Sequence, residues 1–394
     1  MRAAVWVGTV AVLATSGTAL GQEKKPEILS RLEGHLGGIT AMAFDHHSDR
    51  KLSLLATGAG NGAIRLWDTH TGKFLGTLDT QKHNGASINN LSFAANRLVL
   101  SSSSKNTIVV RDFTPPRPPP IPYPKESPEP KGQKKEGSKS FPEPPKAPGD
   151  DWFLRPNASI PVVYEDTLGP DAARLGVVTG DNQRVYYAAT EGTRIVVNSH
   201  VLDPVFGTDT SDEFKNSFIP WAMDAIADRQ SGLVAMYGSF KEGGKSEPAI
   251  GFVGLGDPRV IGRGTVRAPV IGRPLSLNFA PDGKWLVACN GEDVMYWKVP
   301  GSEVVTGDPK LLQVSPAYVA AAGPNSRIAI ASPPEAGKKV KVTIVDISGA
   351  QPKVVIAYST DIDRVSRLAF SPDGGLLAVA DEVEGIVQLW ELKK

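Results

Sequence analysis

One phrase recurs along this chain: a turn, a short apolar strand containing a small residue, a second turn, and a strand rich in Ile and Val. Its clearest copies occupy residues 48–68 (SDRKLSLLATGAGNGAIRLWD), 280–299 (APDGKWLVACNGEDVMYWKV) and 371–392 (SPDGGLLAVADEVEGIVQLWEL). Weaker copies fill residues 94–113 and 181–201, 228–240 continuing to 249–255, and 323–332 continuing to 340–348. Aligned on the small residue, the seven copies fall at Ala56, Ser101, Ala188, Ala235, Ala288, Ala329 and Ala378. Most intervals lie between 41 and 53 residues; the exception, 87, drops to 50 once the 37 residues of 114–150 are set aside. A fixed period of that size means stacked supersecondary units, because one unit cannot bury its apolar faces alone.

Within each unit apolar and polar residues alternate, and Pro281-Asp282-Gly283 and Pro372-Asp373-Gly374 punctuate them. Proline presets φ, aspartate bonds nearby backbone and glycine accepts positive φ, so these are tight turns between strands. No segment after the N-terminal region carries a 3.6-residue apolar stripe. The units are therefore four-stranded blades of a β-propeller, a fold whose blades need about 40 to 45 residues each. The last copy ends at Leu392, which leaves no chain for an outermost strand. Residues 27–32 are apolar enough to supply it, so an N-terminal strand is expected to close the last blade.

Gly34-His35, followed by Trp67-Asp68, resembles the Gly-His and Trp-Asp signature of the WD40-repeat family, and Trp297 and Trp390 stand at the tryptophan position of later copies. The resemblance covers residues 27–394 apart from the proline-rich segment. It implies an all-β, seven-bladed WD40-type propeller, an exported member of that family. Blades of the family often carry a hydrogen-bonded set of Asp, His, Ser or Thr, and Trp; His35, Thr57, Asn61 and Trp67 occupy the matching places here, with Asn61 in place of the acid. The resemblance also implies a scaffold that binds proteins through the loops leading into the innermost strands. Trp221, Arg273, Tyr318 and Arg364 are the candidate partner-binding residues in those loops, being of the types that dominate interface energies.

The first residues read as an export signal: Arg2, an apolar stretch to about Leu20, and small residues Ala19 and Gly21 before Gln22. Cleavage after Gly21 would leave residues 22–394 as a propeller domain with no membrane span, periplasmic or extracellular. Residues 114–150 hold 13 of the 32 prolines, a composition that forms no core and favours extended polyproline structure. We expect a disordered insert projecting from the second blade between its third and fourth strands. The 43 Lys and Arg balance 42 Asp and Glu, so no field recruits nucleic acid. A lone cysteine, Cys289, excludes an intrachain disulfide framework.

Apparent catalytic motifs resolve into turns and strands. Gly58-Ala59-Gly60-Asn61-Gly62 lacks the following helix that a dinucleotide loop requires. Ser102-Ser103-Ser104-Lys105 has the spacing of serine acyl-enzymes without their companion motifs. His46 and His47, adjacent in sequence, would point to opposite faces of a strand, and Asp209, Asp212 and Glu213 lack calcium-loop spacing. Asp361 and Asp363 read as loop residues, and Cys289 as a small buried hydrophobe. The expectation is a monomer with no catalytic residue, metal or cofactor. The rival reading, a propeller enzyme or small-ligand binder with a site in the central channel, would need ionisable side chains on the innermost strands.

Overall fold

The computed structural model describes residues 26–45, 53–78, 85–93, 99–104, 107–113, 276–299, 310–312, 317–334 and 338–392. It also describes the strand backbones at 162–167, 172–177, 184–191, 194–201, 210–215, 218–227, 232–242, 245–254 and 266–267. The export segment, the insert 114–150, His46, His47, Asp209 and Arg273 lie outside the described residues.

The strands are, in chain order, β1 (Glu27–Leu32), β2 (Ile39–Phe44), β3 (Leu54–Ala59), β4 (Ile64–Asp68), β5 (Phe74–Leu78), β6 (Asn90–Phe93), β7 (Val99–Ser103) and β8 (Thr107–Asp112). There follow β9 (Val162–Thr167), β10 (Ala172–Val177), β11 (Arg184–Glu191), β12 (Arg194–Val201), β13 (Thr210–Lys215), β14 (Phe218–Ala227), β15 (Gly232–Glu242), β16 (Lys245–Gly254) and β17 (Val266–Arg267). The last are β18 (Ser276–Phe279), β19 (Trp285–Cys289), β20 (Val294–Lys298), β21 (Lys310–Leu312), β22 (Val319–Gly323), β23 (Arg327–Ser332), β24 (Lys341–Asp346), β25 (Lys353–Ser359), β26 (Val365–Phe370), β27 (Leu376–Asp381) and β28 (Val387–Glu391).

Turn chemistry makes each sheet a local product of the chain. At 371–374, Gly374 donates its N–H to the Ser371 carbonyl at 2.9 Å and sits at φ 72°. Asp373 accepts from the Gly375 N–H at 3.0 Å. The same arrangement recurs at 280–283, where Gly283 has φ 69°. Between β22 and β23, Asn325 and Ser326 take the positive φ instead, at 57° and 59°. Each tight turn folds one strand back on its predecessor, and the meander repeats.

Strands pair antiparallel into seven four-stranded sheets. Six are consecutive runs; the seventh has the order β1-β28-β27-β26. In it Ile28 faces Trp390 and Leu32 faces Val387, so the N-terminal strand completes the C-terminal sheet as the sequence predicts. Residues 114–150 fall between β8 and β9, which pair with each other.

The innermost strands β2, β6, β10, β14, β18, β22 and β26 contact one another in that order, and β26 contacts β2, closing the ring. The chain is an all-β β-propeller. Side-chain packing is described for five blades, those built on β2, β6, β18, β22 and β26, rather than for the seven expected; for the sheets of β10–β13 and β14–β17 the description is of backbone pairing.

The core lies between blades. Ala41, Leu54, Ile64 and Leu66 pack with Leu91, Phe93 and Phe113 of the next blade. Ile39, Phe44, Leu55 and Trp67 pack instead with Ala378, Val387 and Leu389, across the seam where the chain ends meet. A middle strand therefore buries both faces: all six residues of β3 are buried. Neighbouring blades leave no room for a methyl at Gly38, where an added Cβ would lie 1.5 Å from the Glu382 carbonyl oxygen.

Candidate functional site

Three of the four residues expected in a polar set converge in the first blade. Thr57, fully buried on β3, is the hub. The Trp67 indole N–H donates to its hydroxyl at 2.8 Å, and His35 Nε2 lies 2.7 Å from the same oxygen. Asn61 does not join, a correction to the expectation. Its carboxamide oxygen accepts the Ala63 N–H at 3.1 Å, as short polar side chains do in turns. His35 Nδ1 consequently has no hydrogen-bond partner among the described residues. Burial, then the Arg65 charge, push the His35 pKa down to about 4, so the ring is neutral.

Strand register places Trp297 and Trp390 at the Trp67 position of their blades, since Trp67 faces Leu55, Trp297 faces Leu286 and Trp390 faces Leu377. The three indoles are satisfied differently. Trp390 donates to the Gln388 side chain at 3.1 Å. Trp297 has no acceptor among the described residues, because Ala288 occupies the place of Thr57. The same register shows Val287, not Ala288, at the Ala56 position: a run of small and apolar residues hides a one-residue offset. In the second blade Arg111 stands where the blades built on β2, β18 and β26 carry tryptophan, and Val345 takes that place in the blade built on β22.

The candidate partner-binding residues separate. Arg364 is exposed in the loop between β25 and β26, its carbonyl accepting the Glu382 N–H at 2.9 Å. Tyr318 is half-buried, and its hydroxyl accepts the Val365 N–H at 3.1 Å, tying β22 to β26. Packing therefore wins over display at Tyr318, and burial raises its pKa above the usual phenol value. Trp221 is not in a loop: it lies within β14, at a bulge between Pro220 and Ala222. Arg273 is outside the described residues.

Around Arg364, two features escaped the sequence. Leu36 and Val383 are 81% and 60% exposed on adjoining loops. Arg31 holds together three chain segments, pairing with Glu33 and Asp361 at 2.7 Å each and approaching Glu384 at 3.9 Å. Asp363 pairs with Lys339 at 2.6 Å, so Asp361 and Asp363 serve as loop residues in ion pairs.

The motifs read as structural behave so. Ser102 donates to the Val109 carbonyl at 3.2 Å within a buried hairpin. The Cys289 thiol donates to the Ala317 carbonyl at 2.8 Å, and burial pushes its pKa up to about 11. Among the described residues, no group of three or more His, Cys, Asp or Glu is placed to hold a metal, and no helix is long and apolar enough to cross a membrane.

A closed ring of four-stranded sheets defines a β-propeller. Residues 26–68 match the family model described as "WD domain, G-beta repeat", so this stretch is similar to a WD40 repeat. It is 34% identical over 87 residues, 22% of its length, to small ribosomal subunit protein RACK1y of Oryza sativa subsp. japonica. That match spans about a quarter, 24%, of the rice protein. The fold is similar to the β-propeller domain of Cps50 (Swd1) from Myceliophteria thermophila, with a TM-score of 0.60 and 12% identity over 93% of this chain and 100% of the other. It is similar also to Raptor of Chaetomium thermophilum, with a TM-score of 0.59 and 12% identity over 93% of this chain and 29% of that one.

Proposed function

We propose that this protein is an exported, non-catalytic scaffold: a monomeric seven-bladed propeller, with the sheets of β10–β13 and β14–β17 as its third and fourth blades, that holds protein partners on a loop-bearing face. The observation that carries the reading is the surface around Arg364. Among the described residues, a guanidinium with no ion-pair partner, two displayed aliphatic side chains and an ion-pair network meet there without a covering element. Arginine and large apolar groups are what interface cores use, and β strands beneath hold the loops. The export signal read in residues 1–21 supports partners in a periplasm or outside the cell, and the balanced charge argues against nucleic acid. Arg273 and Trp221 remain proposed contributors.

The test is a crosslinking pull-down from the native envelope with wild-type protein, Arg364→Ala and Trp221→Ala. The reading predicts that a partner recovered by the wild type is depleted by Arg364→Ala. Undiminished recovery with both variants removes this face, and recovery of no protein at all by the wild type removes the scaffold reading.

A further inference from the structure

An asparagine followed by glycine loses its amide readily, because glycine carries no side chain to keep its own backbone nitrogen from the carboxamide carbon. The chain holds three such pairs: Asn61-Gly62, Asn84-Gly85 and Asn290-Gly291. Asn84 is outside the described residues. The other two occupy the same place in their blades, the turn from the second strand to the third, β3 to β4 for Asn61 and β19 to β20 for Asn290. Alike in sequence, the two pairs are held in different ways.

At Asn290 the side-chain oxygen accepts two backbone N–H groups, from Glu292 at 2.9 Å and from Asp293 at 2.6 Å. Both donors hold the carboxamide over the turn and draw electron density from its carbon. Attack on that carbon puts negative charge on the same oxygen, so the two bonds strengthen as the reaction proceeds, as donors aimed at a developing oxyanion do. The nucleophile is within reach of solvent. Gly291 is partly exposed, with φ 99°, and its N–H is directed at the Cys289 sulfur, a weak acceptor.

Asn61 differs at each of these points. Its oxygen accepts one N–H, from Ala63 at 3.1 Å. Gly62 is buried, and its N–H donates to the Ala59 carbonyl at 3.1 Å, a bond that has to break before the nitrogen can attack. Gly60, on the other side of Asn61, donates its N–H to the Gly38 carbonyl at 3.1 Å and ties the turn to the neighbouring loop.

We propose that Asn290 is a site of spontaneous deamidation, a modification that adds a carboxylate to the face of the ring carrying Val383, and that Asn61 is protected from it. The Gly291 nitrogen bonds to the side-chain carbon of Asn290 and gives up its proton; the bond from that carbon to the amide nitrogen breaks, and ammonia leaves with the proton. Water then opens the cyclic imide at either carbonyl, giving aspartate, or isoaspartate with the chain running through the side-chain carbon. Either product adds one negative charge beside Glu292 and Asp293, both exposed. The β19–β20 and β27–β28 turns each join the second strand of a blade to the third, which puts Asn290 and Val383 on the same face. Neither the chemistry nor its test depends on that face holding a partner.

The test is incubation of the purified, folded protein at neutral and mildly alkaline pH, with peptide mass spectrometry at both asparagines over time, beside the same chain unfolded in urea. In the folded protein Asn290 converts to aspartate and isoaspartate, faster at the higher pH, with one oxygen taken from isotopically heavy water. Asn61 converts about fivefold or more slowly, the factor that one amide hydrogen bond carries. In urea the two rates converge. Asn290→Gln, whose longer side chain closes the ring poorly, abolishes isoaspartate at this turn. Equal or reversed rates in the folded protein, or an Asn290 that keeps its amide while the unfolded chain loses it, overturn the proposal. So does a gap between the two asparagines that persists in urea, which would assign the preference to sequence rather than to the turn.

Discussion

Trp67 donates its indole N–H to the Thr57 hydroxyl across 2.8 Å of fully buried space, and through that oxygen the first blade joins His35 to its third strand. Replacing Thr57 by Val keeps the shape and removes the hydroxyl, leaving both the indole N–H and a histidine nitrogen without partners. Each buried polar group left unsatisfied costs about 1–3 kcal/mol, so Thr57→Val lowers stability by roughly 2–4 kcal/mol. Thr57→Ser, which keeps the oxygen, loses far less. Urea unfolding midpoints decide; equal midpoints for Val and Ser at this position would show that the hydrogen bonds contribute nothing net.

The fifth blade offers the converse. Trp297 has a buried indole N–H without an acceptor among the described residues, and Ala288 sits at the place Thr57 takes in the first blade. Ala288→Ser supplies the missing oxygen with one added atom. Satisfying a buried donor is worth about 1 kcal/mol, so the denaturation midpoint rises. A fall would mean that the packed wall around Ala288 leaves no room.

The pH dependence follows from His35. Its folded pKa of about 4 lies below the ordinary 6.5, so the unfolded chain binds more protons than the folded chain between those values. The stability contributed by keeping the ring neutral is complete above about pH 6.5 and is lost as pH falls toward 4. At ~1.4 kcal/mol per unit the loss reaches roughly 3 kcal/mol. His35→Gln, which does not titrate, flattens the urea midpoint across this window. A wild-type profile equally flat between pH 6.5 and 4 refutes the neutral, buried ring.

The fold was legible because its punctuation is local. Pro-Asp-Gly turns and recurring tryptophans mark its clearest units whatever their neighbours do. What escaped depends on neighbours. Tyr318 reads as a displayed aromatic until the Val365 N–H of the next blade meets its hydroxyl. Trp221 reads as a residue of a loop leading into an innermost strand, whereas the structure places it within β14, at a bulge between Pro220 and Ala222. Asn61 matches the family position, but its side chain finds a backbone partner two residues away before it can reach His35.

Closure itself is testable at the seam. Leu32, 1% exposed at the end of β1, packs with Trp67 of the first blade and Val387 of the last. Leu32→Ala therefore opens a cavity between the two chain ends, at a cost of roughly 2–5 kcal/mol for a buried leucine. Gly38→Ala strikes the same seam differently. Its added methyl would overlap the Glu382 carbonyl oxygen, a backbone atom that no rotamer change can move aside, so the two blades must part. If the seam closes the ring, both substitutions lower the single unfolding transition of the whole domain, read by calorimetry, and Gly38→Ala lowers it more. A low-temperature shoulder confined to one part of the transition, with the main Tm unchanged, would instead show that the blades stand without the clasp and that β1 is an ornament on the last sheet.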